Sequence, residues 1–252
     1  MGKRNLTTDK RRMKRRNLPL GDLILAIGKC FLHAPYKTGT LEDAGKEKLI
    51  VNFSRFDCFT FVETVLALAH CFIAGTISPR EFHRELKYIR YRQGSIAGYS
   101  SRLHYFTDWL SDNARKKILR DITSRLESVR QCKKINYMTT HRASYPALNN
   151  ENEFKKMLIV ERNISRRTFY IIKKNKVNQQ KEKIKTGDII AFVTEQEGLD
   201  VAHVGLALWK GKNLHLLHAS SKEGGVVISA KTLVVYLKQN KKYSGIVIAR
   251  PS

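Results

Sequence analysis

Ser54-Arg55-Phe56-Asp57-Cys58-Phe59-Thr60-Phe61-Val62-Glu63 places a cysteine where a polar segment turns into an apolar helix. Ser54 and Asp57 are both residue types that cap helix N-termini, and Thr60 and Glu63 repeat the three-residue spacing of a capping box. Phe61, Val62, Val65, Leu66, Ala69 and Phe72 continue an apolar stripe, so the spacing predicts a helix from about Asp57 to Ala74, ended by Gly75. Cys58 falls in its first turn. Unpaired backbone N–H groups and the positive end of the helix dipole favour a thiolate there, the reactive form of cysteine. Most free cysteines are inert packing groups, and what separates the two roles is a base. Asp200-Val201-Ala202-His203-Val204-Gly205 offers one far downstream.

The chain has 252 residues, enough to bury a full core, and its apolar fraction of 42% is ordinary for a globular protein. Its charge is not ordinary: 47 Lys and Arg against 22 Asp and Glu leave a formal net charge of +25. Such a surface attracts polyanions, whether nucleic acid, an anionic membrane surface or the polymers of a bacterial wall. Lys and Arg are spread from end to end and no nucleic-acid motif accompanies them, so nucleic acid is the lesser partner. Cys30, Cys58, Cys71 and Cys132 have no metal-finger spacing. Neither a metal nor another cofactor is expected. The longest apolar run, from Val62 to Ile73, is interrupted by Glu63, Thr64 and His70, which argues against an integral membrane segment.

Residues 1–18 read as a basic, solvated tail and residues 19–252 as a single domain. No apolar core follows the basic segment to complete a secretory signal. Leu20 to Leu32 reads as a core helix, and Ala34-Pro35-Tyr36-Lys37-Thr38-Gly39 as a loop that delivers a tyrosine just before Cys58. A second helix begins near Ser78-Pro79. Further helices are expected over Ser101–Leu110, Asn113–Leu126 and Asn152–Arg162. Strand-like runs follow at Thr168–Ile172, Asp188–Val193, Ala202–Leu208, Leu214–His218, Val226–Ile228 and Ile246–Ala249, with Lys173–Lys185 a solvated connection. Helices first and antiparallel strands afterwards make an α+β fold.

His203 shares a strand face with Val201, Gly205 and Ala207. Trp209-Lys210-Gly211-Lys212-Asn213 is turn chemistry, so Leu214–His218 pairs antiparallel beside it and brings His218 near His203. A neutral His218 can bond the far nitrogen of the His203 ring and orient it.

These residues resemble a known family. Asp57-Cys58 at a helix start, Gly187-Asp188-Ile189-Ile190-Ala191-Phe192 leading into His203-Val204-Gly205, and Leu217-His218-Ala219-Ser220-Ser221 before Gly225-Val226-Val227 resemble the NlpC-type peptidoglycan cysteine peptidases of the papain-like class. The likeness is closer to a bacterial family described as N-acetylmuramoyl-L-alanine amidase-like, on Pro35-Tyr36, Gly39-Thr40-Leu41-Glu42, Asp57-Cys58-Phe59-Thr60-Phe61-Val62-Glu63, Gly98-Tyr99-Ser100-Ser101-Arg102-Leu103-His104-Tyr105, Asp108-Trp109 and Thr139-Thr140-His141 with Tyr145-Pro146. It runs from about Leu20 to Ile248.

The resemblance implies a papain-like fold with the nucleophile on the N-terminus of a helix packed against an antiparallel sheet. It also implies a catalytic triad of Cys58, His203 and His218, with the Tyr36 hydroxyl and the Cys58 backbone N–H as oxyanion donors. Tyr99, Arg102, His104, Tyr105 and His141 become candidate substrate contacts. The implied reaction is hydrolysis of the bond between N-acetylmuramic acid and L-alanine in peptidoglycan or muropeptides. The bond between γ-D-glutamate and the diamino acid of the stem peptide is an alternative, and a non-enzymatic basic binder is the competing class. Members of the family are usually exported, which implies a periplasmic or exported protein, while the missing signal leaves a cytoplasmic one open. Oligomeric state is not legible.

Overall fold

A computed structural model describes residues 18–42 and 45–252. The predicted basic tail lies outside the described residues except for Leu18. Among the described residues, eight α-helices and a mixed-length antiparallel sheet make an α+β fold. In chain order the helices are α1 (Leu20–Lys29), α2 (Cys58–Ile73), α3 (Pro79–Arg90), α4 (Phe106–Arg115), α5 (Tyr137–Thr140), α6 (Glu151–Ser165), α7 (Val177–Gln180) and α8 (Leu233–Gln239). The strands are β1 (Leu119–Asp121), β2 (Val129–Cys132), β3 (Thr168–Lys173), β4 (Ile189–Thr194), β5 (Val201–Lys210), β6 (Asn213–Ser220), β7 (Gly225–Ile228) and β8 (Tyr243–Pro251). They lie in the order β2-β3-β8-β4-β5-β6-β7, with β1 on β8.

The sheet is covered on both faces, which is why β4 is buried at every position. On one face Ile189, Ala191, Val204, Leu206 and Leu217 pack against α1 and α2 through Ile24, Phe61 and Val65. On the other, Ile190, Phe192, Ala207, Leu216 and Ile248 pack against Leu233 and Leu237 of α8 and against Val177 and Ile184. Each such side chain contributes roughly 1.5–3 kcal/mol of transfer free energy on burial. A third cluster, Tyr105, Met138, Leu148, Met157 and Ile164, joins α5 and α6.

Several expectations change, and the helix expected over Ser101–Leu110 begins only at Phe106. The helix anticipated over Asn113–Leu126 is not formed: α4 ends at Arg115, Lys117 turns left-handed at φ 61°, and Leu119–Asp121 pairs with Pro251–Ala249. Ile118, Leu119 and Ile122 are needed in the interior, and a strand places them there where a continued helix does not. Lys173–Lys185 is likewise no free connection, because Val177 and Ile184 anchor it to the sheet. Lys173, Lys183 and Lys185 are exposed, while two apolar residues hold the segment down.

Candidate active site

Asp57 caps α2. Its carboxylate accepts from the backbone N–H groups of Phe59 and Thr60 at 3.0 and 2.8 Å, and Thr60 Oγ1 accepts from the Asp57 N–H at 3.0 Å. The capping box is thus Asp57–Thr60. Ser54 instead donates to Asn52, and Glu63 turns inward to Arg90, Oε2 to Nε at 2.7 Å, with both side chains almost wholly buried. Arg90 also donates to the Ile50 carbonyl. This pair pins the second turn of α2 to α3, so Cys58 stands on a helix fixed at its cap and along its flank.

The cysteine is half-buried. Backbone N–H groups of Val204, Cys58 and Phe59 point at its sulfur and pull its pKa down, but burial first and the Asp57 carboxylate second outweigh them and push it up to about 12. That corrects the thiolate expected from the helix dipole: the resting group is a neutral thiol. Desolvation is the largest of these effects.

Val204 is the residue after His203, so the thiol meets β5 beside the histidine. A register shift after Phe192 leaves Ala202 unpaired, a bulge one residue before His203; bulges of this kind re-aim a neighbouring side chain. His203 Nε2 and His218 Nδ1 are 2.7 Å apart. His218 sits against Gly205, where a Cβ would stand only 2.9 Å from that of His218. Only glycine leaves room for the second ring to reach the first.

The His218 ring is completely buried, stands perpendicular to Tyr236 at 5.5 Å, and its Nε2 has no polar partner among the described residues. Burial lowers its pKa to about 4. Burial and then the nearby His218 lower that of His203 to about 3. Both imidazoles are therefore neutral at physiological pH. An unfolded histidine titrates near 6.5, so this pair contributes stability that is present above about pH 6.5 and lost as pH falls through the two folded values. Urea unfolding is expected to show the wild type weakening from about pH 7 to about pH 5 more steeply than His203→Gln/His218→Gln. Equal slopes would contradict a buried neutral pair.

Tyr36 is held in a loop stitched to both neighbours. Its N–H donates to the Gly224 carbonyl, Phe56 N–H donates to the Pro35 carbonyl, and Lys37 N–H to that of Phe56. Gly225 permits the approach, since a Cβ there would lie 2.8 Å from the Ala34 carbonyl oxygen. Burial above all, with Cys58 and Asp57 nearby, raises the Tyr36 phenol to about 12, so it keeps its proton and can donate.

Two grooves are lined by residues next to Cys58 or by its partners, though not by Cys58 itself. One of about 590 Å³ is lined by Tyr36, His203, Tyr236, Tyr243 and a set of lysines. The other, about 400 Å³, is lined by Asp57, Phe59, Glu42, Arg102, His104 and Tyr145 among others. Of the remaining sequence candidates, Arg102 and His104 face this second groove. Arg102 is nevertheless engaged by Glu42, Glu47 and the Leu41 carbonyl and lies over the Tyr99 ring. Burial and Arg102 drive the His104 pKa well down. Tyr99 donates to Glu42 behind it. Tyr105 is interior, donating to Glu161 at 2.6 Å, and His141 is exposed, stacked on Tyr137. Neither lines a groove described above.

Sequence reasoning missed Tyr236 and Tyr243. Tyr236 rides on α8, too short for a periodic signal, although Thr232 at its start is a capping residue type. Among the described residues no cluster of His, Cys, Asp and Glu is arranged to hold a metal ion, and no helix is long and apolar enough to cross a membrane.

A family model described as N-acetylmuramoyl-L-alanine amidase-like matches residues 26–246. The chain belongs to that family. An N-acetylmuramoyl-L-alanine amidase from Bacteroides uniformis superposes with a TM-score of 0.88 at 38% identity, covering 92% of this chain and 99% of that one. A Bacteroides fragilis protein proposed to be a xylanase superposes with a TM-score of 0.85 at 41% identity, covering 89% and 99%. A Legionella pneumophila protein, 23% identical with a TM-score of 0.71 over 97% and 93%, shares the fold. No curated protein matches the sequence. Membership of the amidase-like family makes the protein a hydrolase with a peptidoglycan-related role.

Proposed function

We propose that the protein is a cysteine amidase of papain-like, NlpC-type architecture that hydrolyses the amide between N-acetylmuramic acid and L-alanine in peptidoglycan or muropeptides. The observation that carries this reading is the meeting of the Cys58 thiol with the β5 backbone beside His203, whose far nitrogen is bonded to His218 at 2.7 Å. That hydrogen bond needs one proton, and its position decides the chemistry. With the proton on His203 Nε2, donated to His218 Nδ1, His203 Nδ1 keeps a lone pair and acts as base.

In that arrangement His203 Nδ1 takes the thiol proton as the sulfur attacks the lactoyl carbonyl carbon. A neutral thiol and a neutral imidazole make the transfer concerted with attack, with no standing ion pair. The Cys58 N–H and the Tyr36 hydroxyl donate to the oxyanion. Collapse breaks the C–N bond, and the proton on His203 goes to the departing alanine nitrogen. Water, deprotonated by His203, then releases the muramic acid from the thioester.

Tyr36→Phe removes one oxyanion donor and keeps the ring. It is expected to lower kcat by about 10²–10³-fold with KM little changed; an unchanged kcat measured on a soluble muropeptide sinks that role.

The carboxylates do not favour glycoside hydrolysis, which needs a free acid and base across the bond. Glu63 is paired to Arg90, Glu42 to Arg102, and Asp57 caps α2. A simple polyanion binder has no use for two buried neutral histidines joined to each other. End-group labelling of digested muropeptides tests the bond: a new α-amine on L-alanine supports the amidase, and a new amine on the diamino acid replaces it with the endopeptidase.

A further inference from the structure

The groove lined by Tyr36 and His203 and the groove lined by Asp57 and Phe59 differ in charge. The larger carries Lys222, Lys231, Lys241 and Lys242 against a single acid, Glu223. Lys222 and Glu223 stand in the β6–β7 turn, Lys231 before α8, and Lys241 and Lys242 between α8 and β8. All four lysines are exposed, and Lys231 Nζ reaches Gln239. The smaller groove holds Glu42, Asp57 and Glu63 against Arg90 and Arg102. Its charges are spent on one another or on the helix cap, which leaves no free cation there among the described residues to meet an anion.

His203 lines the lysine groove and not the other. A base that accepts the thiol proton must later hand one to the leaving amine, so the leaving group lies on the His203 side. From the amidase reading, on which this step rests, the leaving group is the stem peptide and the acyl group is the sugar. The stem peptide carries carboxylates on D-glutamate, on the diamino acid and at its C-terminus. The N-acetylated sugar presents hydroxyls and an amide.

We infer that the lysine-lined groove is the leaving-group subsite and binds the anionic stem peptide through its carboxylates, while the smaller, internally neutralised groove takes the sugar. A groove of one sign with low-dielectric walls concentrates an oppositely charged ligand. Part of the chain's excess positive charge thereby acquires a ligand at the site.

Binding of the free tetrapeptide L-Ala-γ-D-Glu-diamino acid-D-Ala, followed by calorimetry, tests this without turnover. The full chain is compared with Lys222→Gln/Lys241→Gln/Lys242→Gln, whose replaced side chains are exposed. The Kd is expected to rise about tenfold or more in the variant, and wild-type binding to weaken as salt is added. A tetrapeptide with its carboxylates converted to amides is expected to bind both proteins equally and weakly. Equal Kd for the acidic tetrapeptide, or no binding to either protein, overturns the subsite. Because the measurement involves no cleavage, it stands or falls separately from the end-group labelling that tests which bond is cut.

Discussion

Replacing Cys58 by alanine is expected to lower kcat on muropeptides by at least about 10⁴-fold while leaving the protein folded. The size follows from removing the nucleophile of a unit in which thiol, base and orienting group act together, so the loss approaches that of the whole assembly. Folding is spared because the substitution deletes one half-buried sulfur at the edge of the core, a change of about 1 kcal/mol or less. The α2 cap rests on Asp57 and Thr60, which are untouched. Far-UV circular dichroism and Tm establish the fold, and initial rates the activity. Activity within tenfold of wild type in a folded Cys58→Ala protein excludes the thioester route.

The largest expected loss of stability belongs to Glu63→Ala. Glu63 and Arg90 are 1% and 3% exposed and joined at 2.7 Å. Burial raises the Glu63 pKa, with Arg90 opposing it. Removing the acid strands a guanidinium in the interior, which costs about 3–5 kcal/mol. The double variant Glu63→Leu/Arg90→Met removes both charges and is expected to recover most of that loss, since the desolvation of two ions offsets much of their attraction. Urea unfolding measures both. A Glu63→Ala protein as stable as wild type contradicts a buried, uncompensated Arg90. Because the pair braces α2 one turn beyond Cys58, Glu63→Ala is also the variant in which lost stability and lost activity should appear together.

The parts of this site legible in the sequence are those written locally. Asp57 and Thr60 announce a helix start, the run from Phe61 to Ala69 its buried face, and the turn at Gly211 brings His218 beside His203. Strands β3 to β8 are legible because each holds enough apolar residues between turn signals. Strands β1 and β2 are not, being three and four residues long. Nothing local ends α4 at Arg115, since Lys117 is neither glycine nor proline; the demand of Leu119 for the sheet ends it. The ionisation of Cys58 was misjudged for a related reason. A helix dipole can be read from sequence position, whereas the burial of the sulfur beside the Asp57 carboxylate is a property of the packed site. Tyr236 escaped for the same cause: its place against His218 is made by the sheet and α8 together.

The charge of the molecule, equally plain in the sequence, pointed to no particular ligand until the lysines near His203 were seen to share one groove. Composition gives the amount of charge and topology its address.

The central claim is that Cys58 drives cleavage between muramic acid and L-alanine. Mass analysis of defined muropeptides digested by wild type and by Cys58→Ala tests it most directly. Intact stem peptides and sugars with a free lactoyl carboxylate are expected from the wild type, and neither from Cys58→Ala. Sugars that still carry a dipeptide, or the same products from both proteins, would contradict it.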